Sequence, residues 1–286
     1  MRKVCILYNK LSIGGQGLVA AEKLLLRLQA PEYRLVSVTD VEDYTAFFAE
    51  LAKDEQLIVL GGDGTLNRFL NDTDSIRGSR SIYFAPNGSG NDFWRDINQP
   101  MDGMPICINR YMEHLPTVTV EGKTLRFFNN VAFGIDGYAC AEGVRRRKPG
   151  KPANYTTAAL KGLLYAFHPV NATVTVDGVT TDYSRVWLAP TMMGRYFGGG
   201  MQMAPMQMRM NTKHQVTLAV AHNMNNLRII TIFPKIFSGN HTKKKYVKYI
   251  DFLSGHHIHV VFDRPTDLQV DGEVFPAVTE YTVDYT

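Results

Sequence analysis

Only three of the 286 residues are cysteines, Cys5, Cys107 and Cys140, and their wide spacing fits neither a disulfide framework nor a cysteine-ligated metal. No apolar stretch approaches the roughly 20 residues needed to cross a bilayer. At the N-terminus Arg2 and Lys3 lead into a short apolar run ending at Tyr8, which is not the core of a signal peptide. Together these absences predict a reduced, cytoplasmic protein whose contact with membranes is peripheral. Repeats and low-complexity stretches are missing as well, since the 24 glycines and 13 prolines are scattered, and this excludes a solenoid or a long linker. A net charge of +4 is too mild to demand nucleic acid, and none is expected as a partner.

What is present is ample apolar material, 45% of the residues, arranged in two styles. Residues 4–8, 35–38, 57–60 and 82–84 read as short buried strands, and the stretches after the first two carry helical spacing, as in Leu18, Ala21, Leu24, Leu25 and Leu28. Such alternation predicts a parallel sheet with helices on both faces. From about Leu115 the pattern becomes period two, at Val118, Val120, Leu125 and Phe127 and again around Val174, Val186, Val216 and Val260. Segments 155–167 and 227–237 interrupt it as helices. The expected fold is therefore α/β plus β: an N-terminal parallel α/β domain, residues 1–113, and a C-terminal, mainly antiparallel β domain, residues 114–286.

Open α/β sheets bind ligands beyond the carboxyl ends of their strands. Here three strand ends run into small or polar turns: Asn9 with Ser12, Gly14, Gly15 and Gly17; Gly61-Gly62-Asp63-Gly64-Thr65; and Pro86-Asn87-Gly88-Ser89-Gly90-Asn91-Asp92. Glycine allows backbone N–H groups to approach phosphate oxygens, and a following helix adds a favourable dipole. One such turn usually only reverses the chain. Three in succession, each at a strand end, point to a bound nucleotide.

The same residues resemble the diacylglycerol kinase catalytic family, which includes sphingosine kinases and bacterial soluble lipid kinases. The matching segments are Asn9 to Gly17, GGDGTLN from Gly61, PNGSGNDF from Pro86, FGIDG from Phe133, GGGMQMAP from Gly198 and VDGE from Val270, in order along nearly the whole chain. The resemblance implies an N-terminal nucleotide-binding α/β domain, a C-terminal β-sandwich domain carrying a lipid site, a cleft between them, and transfer of a phosphoryl group from ATP, with Mg²⁺, to a lipid alcohol, diacylglycerol first among them. Sphingoid bases, NAD as acceptor through the related NAD kinases, and a catalytically silent regulator are the alternatives. By position, Asn9, Ser12, Gly62, Gly64, Thr65, Gly88, Ser89 and Asn91 are candidates for nucleotide contacts, with Thr39 at the end of the second strand joining them.

Phosphoryl transfer needs charge neutralised on the moving group and the acceptor hydroxyl held in line. Asp63, Asp92 and Asp136, each in a glycine motif, are the candidate Mg²⁺ ligands, because Mg²⁺ takes oxygen ligands from a few carboxylates and the phosphates. Asp271 and Glu273 lie two apart and are expected on one side of a strand exit, although Asp-Gly is also an ordinary hairpin turn. The resemblance favours Asp271 as the base toward the hydroxyl, with Glu273 steadying metal-bound water; Asp63 competes for the role of base.

One stretch departs from the family. After GGGMQMAP its members carry an Asp-Gly and a further acidic residue that in bacterial lipid kinases can hold a structural metal, whereas residues 206–215 here, MQMRMNTKHQ, contain no carboxylate: Asn211 and Gln215 offer only carbonyl oxygens and Lys213 opposes a cation. No tight structural Mg²⁺ is expected there. The methionines read mainly as core packing, or as a pliable lining for an acyl chain. Two basic clusters, Arg145, Arg146, Arg147, Lys148 and Lys151, and Lys243, Lys244, Lys245 and Lys248, fit an anionic membrane surface as readily as solvent. His256, His257 and His259 read as ordinary strand residues rather than metal ligands, and homo-oligomerisation is left open.

Overall fold

The computed structural model describes residues 3–145, 158–159 and 161–286. Its first half alternates as the sequence predicts: β1 (Lys3–Tyr8), α1 (Gly17–Leu28), β2 (Glu32–Ser37), α2 (Tyr44–Glu50), β3 (Gln56–Gly61), α3 (Asp63–Thr73), β4 (Ile82–Pro86), α4 (Asp92–Asp96) and β5 (Ile106–Cys107). The sheet order is β2-β1-β3-β4-β5, parallel except for β5. Side chains alternate across a strand, so Val4 and Ile6 join Ala21 and Leu24 of α1 on one face. Cys5 and Leu7 join Phe47 and Phe69 of the helices on the other. Both faces are covered, which is why the inner strands β1, β3 and β4 are mainly apolar, whereas the edge strand β2 carries Glu32 and Arg34. The order reverses between β1 and β3, and the glycine turns stand at that carboxyl edge.

The second half is an antiparallel β-sandwich built of β6 (Thr117–Val120), β7 (Lys123–Arg126), β8 (Asn130–Gly134), β9 (Val170–Val176), β10 (Val179–Val186), β11 (Leu188–Met192), β12 (Val216–Ala221), β13 (Ile250–Gly255), β14 (His257–Val270) and β15 (Glu273–Asp284). Two helices interrupt it, α5 (Ile135–Arg145) and α6 (Asn226–Ile236). The long strand β14 pairs with β9 over Ile258–Phe262 and with β8 over Leu268–Val270, with register shifts against β15 in between. One strand thereby serves both layers, as corner strands of sandwiches do. Of the expected helix at 155–167, residues 155–157 and 160 lie outside the described residues, and 162–166 form a π-helical turn. Arg146, Arg147, Lys148 and Lys151 also lie outside them.

A single apolar cluster runs from Leu7, Phe69 and Phe93 beneath the first sheet to Phe133, Val260 and Tyr281 inside the sandwich. Each fully buried side chain of this size contributes about 1.5–3 kcal/mol, so the two halves are joined by packing as well as by the chain. The methionines divide. Met201 and Met203 are buried, whereas Met206, Met208 and Met210 are 89%, 67% and 55% exposed, so core packing does not describe these three. They alternate with Gln207 and Arg209, whose side chains are buried.

Candidate active site

The three glycine turns are laced together by side-chain amides. Asn9 Nδ2 donates to Thr65 Oγ1 at 2.9 Å, Asn87 Nδ2 to Ser12 Oγ at 3.2 Å, and the Asn87 backbone N–H to the Gly61 carbonyl at 2.7 Å. Gly62 and Gly88 meet backbone to backbone: a Cβ on Gly88 would stand 2.5 Å from Gly62 Cα, and one on Gly62 2.9 Å from Gly88 Cα. Neither can carry a side chain without parting the two turns. Asn91, at φ 52°, closes its own turn by accepting from Gly88 N–H at 2.9 Å and donating to the Gly88 carbonyl at 3.0 Å. Gly64 and Ser89 are exposed beside them. Thr39 sits at the rim, bonded to Ser37 and to Asp40, and Asp40 pairs with Lys10.

Asp63 opens α3, where the helix dipole favours negative charge. Its Oδ2 accepts from Asp92 N–H at 3.0 Å, and its Oδ1 from Phe93 N–H at 3.0 Å and from Asn129 Nδ2 at 3.2 Å. The carboxylate of α3 therefore fixes the start of α4. Asp92 in turn accepts from Gly199 N–H at 2.8 Å and Gly200 N–H at 2.7 Å, tying the GGGM loop of the sandwich to the first domain. Burial, reinforced by the adjacent Asp63 charge, pushes the Asp92 carboxyl well above its ordinary value despite these donors.

The hairpin between β14 and β15 closes the other side. Asp271 and Gly272, at φ 45° and 92°, form its two-residue turn, as type I′ geometry requires. The Asp271 side chain is buried and accepts from Phe128, Asn129 and Asn130 N–H at 2.5, 2.9 and 2.9 Å and from Asn67 Nδ2 at 3.0 Å. Burial raises its carboxyl to about 6 against the pull of those N–H groups, with Asp63 adding to the rise. Glu273 is exposed, and its carboxylate has no partner among the described residues. The expected same-side pair is thus not formed, because the turn reverses the chain between the two residues.

Asp136 does not join Asp63 and Asp92. It opens α5 in a buried position, accepts from Gln269 Nε2 at 2.7 Å, and is raised by burial to about 6. Among the described residues no group of three His, Cys, Asp or Glu side chains stands close enough to hold a metal, so the expected Mg²⁺ trio is not preassembled. The Asp63 and Asp92 pair does fit a divalent cation. Their mutual repulsion is what a cation would relieve, and Asp63 remains partly exposed to accept nucleotide phosphates as co-ligands.

Three contributors escaped the motif reading. Arg209 is buried in the stretch without carboxylates, where its Nε donates to Asp96 at 2.7 Å, its Nη2 to Asn129 Oδ1 at 3.0 Å and its Nη1 to the Phe128 carbonyl. Asp96 also accepts from Arg195; burial opposes its ionisation, yet the two guanidinium groups outweigh that and hold its carboxyl below the usual range. Asn129 links these to Asp63. The signal available was a pair of asparagines, Asn129 and Asn130, at the head of the otherwise apolar strand β8, and a lone arginine among methionines.

Two family profiles match the chain: the diacylglycerol kinase catalytic domain over residues 3–120 and the YegS C-terminal NAD kinase beta sandwich-like domain over residues 129–283. The chain belongs to the diacylglycerol kinase catalytic family. It is 27% identical over 214 residues to the "Putative lipid kinase YtlR" of Bacillus subtilis, a match covering 66% of this chain and 65% of that protein. It is 35% identical over 78 residues to a diacylglycerol kinase of Staphylococcus saprophyticus, covering 27% of this chain and 26% of that one. In both cases the match spans less than two thirds of the relative's length. A solved diacylglycerol kinase structure from Bacillus anthracis superposes with a TM-score of 0.64 at 16% identity, covering 99% of this chain and 93% of that one, and shows the shared fold.

Proposed function

We propose that this chain transfers the γ-phosphoryl group of ATP to the hydroxyl of a lipid alcohol, with diacylglycerol the first candidate. The observation that carries the reading is the closure of one cleft from both domains: the GGDGT turn meets the VDGE hairpin, with Gly64 beside the Asp271 carbonyl, and the GGGM loop grips Asp92. Nucleotide phosphates would lie against the joined turns of Asn9, Ser12, Gly62, Thr65, Gly88 and Asn91. Gly64, Ser89 and Thr39 border that surface. Bound Mg²⁺, held by Asp63 and Asp92, would neutralise charge on the transferring group.

The geometry favours Asp63 over Asp271 as the group that takes the acceptor proton. Both carboxylates already accept hydrogen bonds through each of their oxygens, but Asp63 is partly exposed at the cleft whereas Asp271 is buried. In the step, the acceptor hydroxyl passes its proton to Asp63, its oxygen bonds to the γ-phosphorus, and the bond from that phosphorus to the β-phosphate oxygen breaks to release ADP. Asp271 acts by holding residues 128–130, and through Asn129 the orientation of Asp63. Glu273, exposed at the hairpin exit, would face the acceptor.

The test is transfer of radiolabelled γ-phosphate to a panel of lipid alcohols, with a sphingoid base and NAD as rival acceptors. Labelled lipid that depends on Mg²⁺ supports the proposal. Labelled NAD alone would move the chain to the NAD kinases, whose β-sandwich the C-terminal profile resembles. No labelled acceptor, with ATP still bound, would leave a silent regulator.

A further inference from the structure

Away from the cleft, between the end of the GGGM loop and the edge strand β13, the sandwich carries an open cavity of about 480 Å³. Pro205, Met206, His241, Val247, Ile250 and Phe252 line it. Its floor is fixed, because the buried His241 ring bonds through Nε2 to the Met203 carbonyl at 2.8 Å. Its rim is apolar and wet: Met206, Val247 and Phe252 are 89%, 55% and 39% exposed. Side chains of this size gathered in one exposed patch mark a surface that is covered by something.

The chemistry of the cover is given by the segment that forms one wall. Lys243, Lys244, Lys245 and Lys248 are all exposed around Val247 and make no ion pair among the described residues. Lys245 and Lys248 stand over the rings of Tyr246 and Tyr249, at 4.9 and 5.0 Å from their centroids. Aliphatic stems and tyrosine rings beneath cationic heads are suited to a boundary between hydrocarbon and water. The one carboxylate lining the cavity, Asp251, is turned toward His222 at 3.4 Å.

We infer that this face docks on an anionic lipid membrane, with the cavity accepting part of an acyl chain and the four lysines meeting acidic headgroups. It rests on the proposed lipid acceptor for its purpose, but binding is measured without turnover. The loop that gives Gly199 and Gly200 N–H to Asp92 continues through Met203 to Met206, so docking would hold the cleft's own loop at the bilayer.

The experiment is flotation of the full chain with phosphatidylcholine vesicles, with and without phosphatidylglycerol, together with amide hydrogen exchange on the bound protein. Wild type is expected to float only with the anionic vesicles, and residues 204–210 and 240–252 to gain protection while the turn between β9 and β10 does not. Joint Lys243→Gln, Lys244→Gln and Lys245→Gln should lower the partition by at least about tenfold, as three cations near a negative surface imply. Met206→Glu, at an exposed position, should lower it several-fold with no change in melting temperature. Undiminished flotation of both variants, or protection confined to other segments, overturns the inference. So does self-association that Met206→Glu abolishes in a chain that never floats, which would assign the face to a second copy. Transfer to a detergent-dispersed acceptor by a non-floating chain would remove docking alone, while flotation without transfer to any acceptor would remove the kinase reading alone.

Discussion

Around the cleft, Asp63, Asp92 and Asp271 are each met by backbone N–H groups, Asp63 and Asp271 also by asparagine amides, and the buried Arg209 and half-buried Arg195 stand on Asp96. Beside the sandwich cavity, Lys243, Lys244, Lys245 and Lys248 stand in water with no acidic partner among the described residues. The first arrangement spends charge inside the molecule to hold loops of two domains in one geometry. The second leaves charge outward, where it contributes little to folding and is free for an external surface. Charge in the cleft should therefore govern stability and chemistry, and charge at the cavity should govern location alone.

The sharpest way to break this contrast is at Asp63. Asp63→Asn keeps the side chain's size and should reduce phosphoryl transfer by about 10²–10⁴-fold, the scale of a lost proton acceptor, while ATP still binds at the glycine turns. Single-turnover assays decide it; a folded variant with near-normal turnover returns the base to Asp271. Gly88→Val comes next, since its branched side chain would enter the backbone of Gly62. Calorimetry should show ATP affinity reduced by about 10²-fold or more, because the two turns cannot meet. Unchanged affinity would separate the nucleotide from these turns.

Asp271→Asn tests whether the buried clamp is structural. It sets an amide N–H against existing donors, at a cost of about 2–4 kcal/mol, so the melting temperature should fall by several degrees. Equal stability would show that the clamp is dispensable. Its loss of turnover should be smaller than that of Asp63→Asn.

A weaker effect is expected from pH. Asp136 and Asp271 ionise at about 6 in the folded chain against 3.8 as the ordinary value, and Asp92 is raised as well. The folded state thus binds more protons than the unfolded one, and stability from these groups is present below about pH 4 and lost as pH rises through 6. Asp96, held low, acts in the opposite sense only at more acidic pH. The metal-free melting temperature should decline by a few degrees between pH 5 and 8, and Mg²⁺ should restore more at pH 8 than at pH 5. A flat profile would mean that these carboxyls do not differ between the two states. Smallest of all, neutralising Lys243, Lys244 and Lys245 should change stability by no more than about 0.5 kcal/mol, as for exposed charges generally. A larger loss on chemical denaturation would show that the lysines do serve the fold.

The amino-acid sequence by itself determined the alternation of strands and helices, the change to antiparallel β and the family, because periodicity and strand-end glycines are local properties. It also marked Asp63, Asp92 and Asp271. Only the tertiary structure decided that Asp271 is walled in by residues 128–130 while Glu273 stays in water, since the turn between them reverses the chain. Likewise, Asp136 goes to Gln269 rather than to Asp63, and Arg209, unremarkable among methionines, becomes the buried cation between α4 and β8. Such partnerships join residues 80 to 204 positions apart, as with Arg209 and Asn129 or Asn67 and Asp271. No spacing along the chain encodes them, because donors and acceptors are matched only when packing brings distant segments of the chain together.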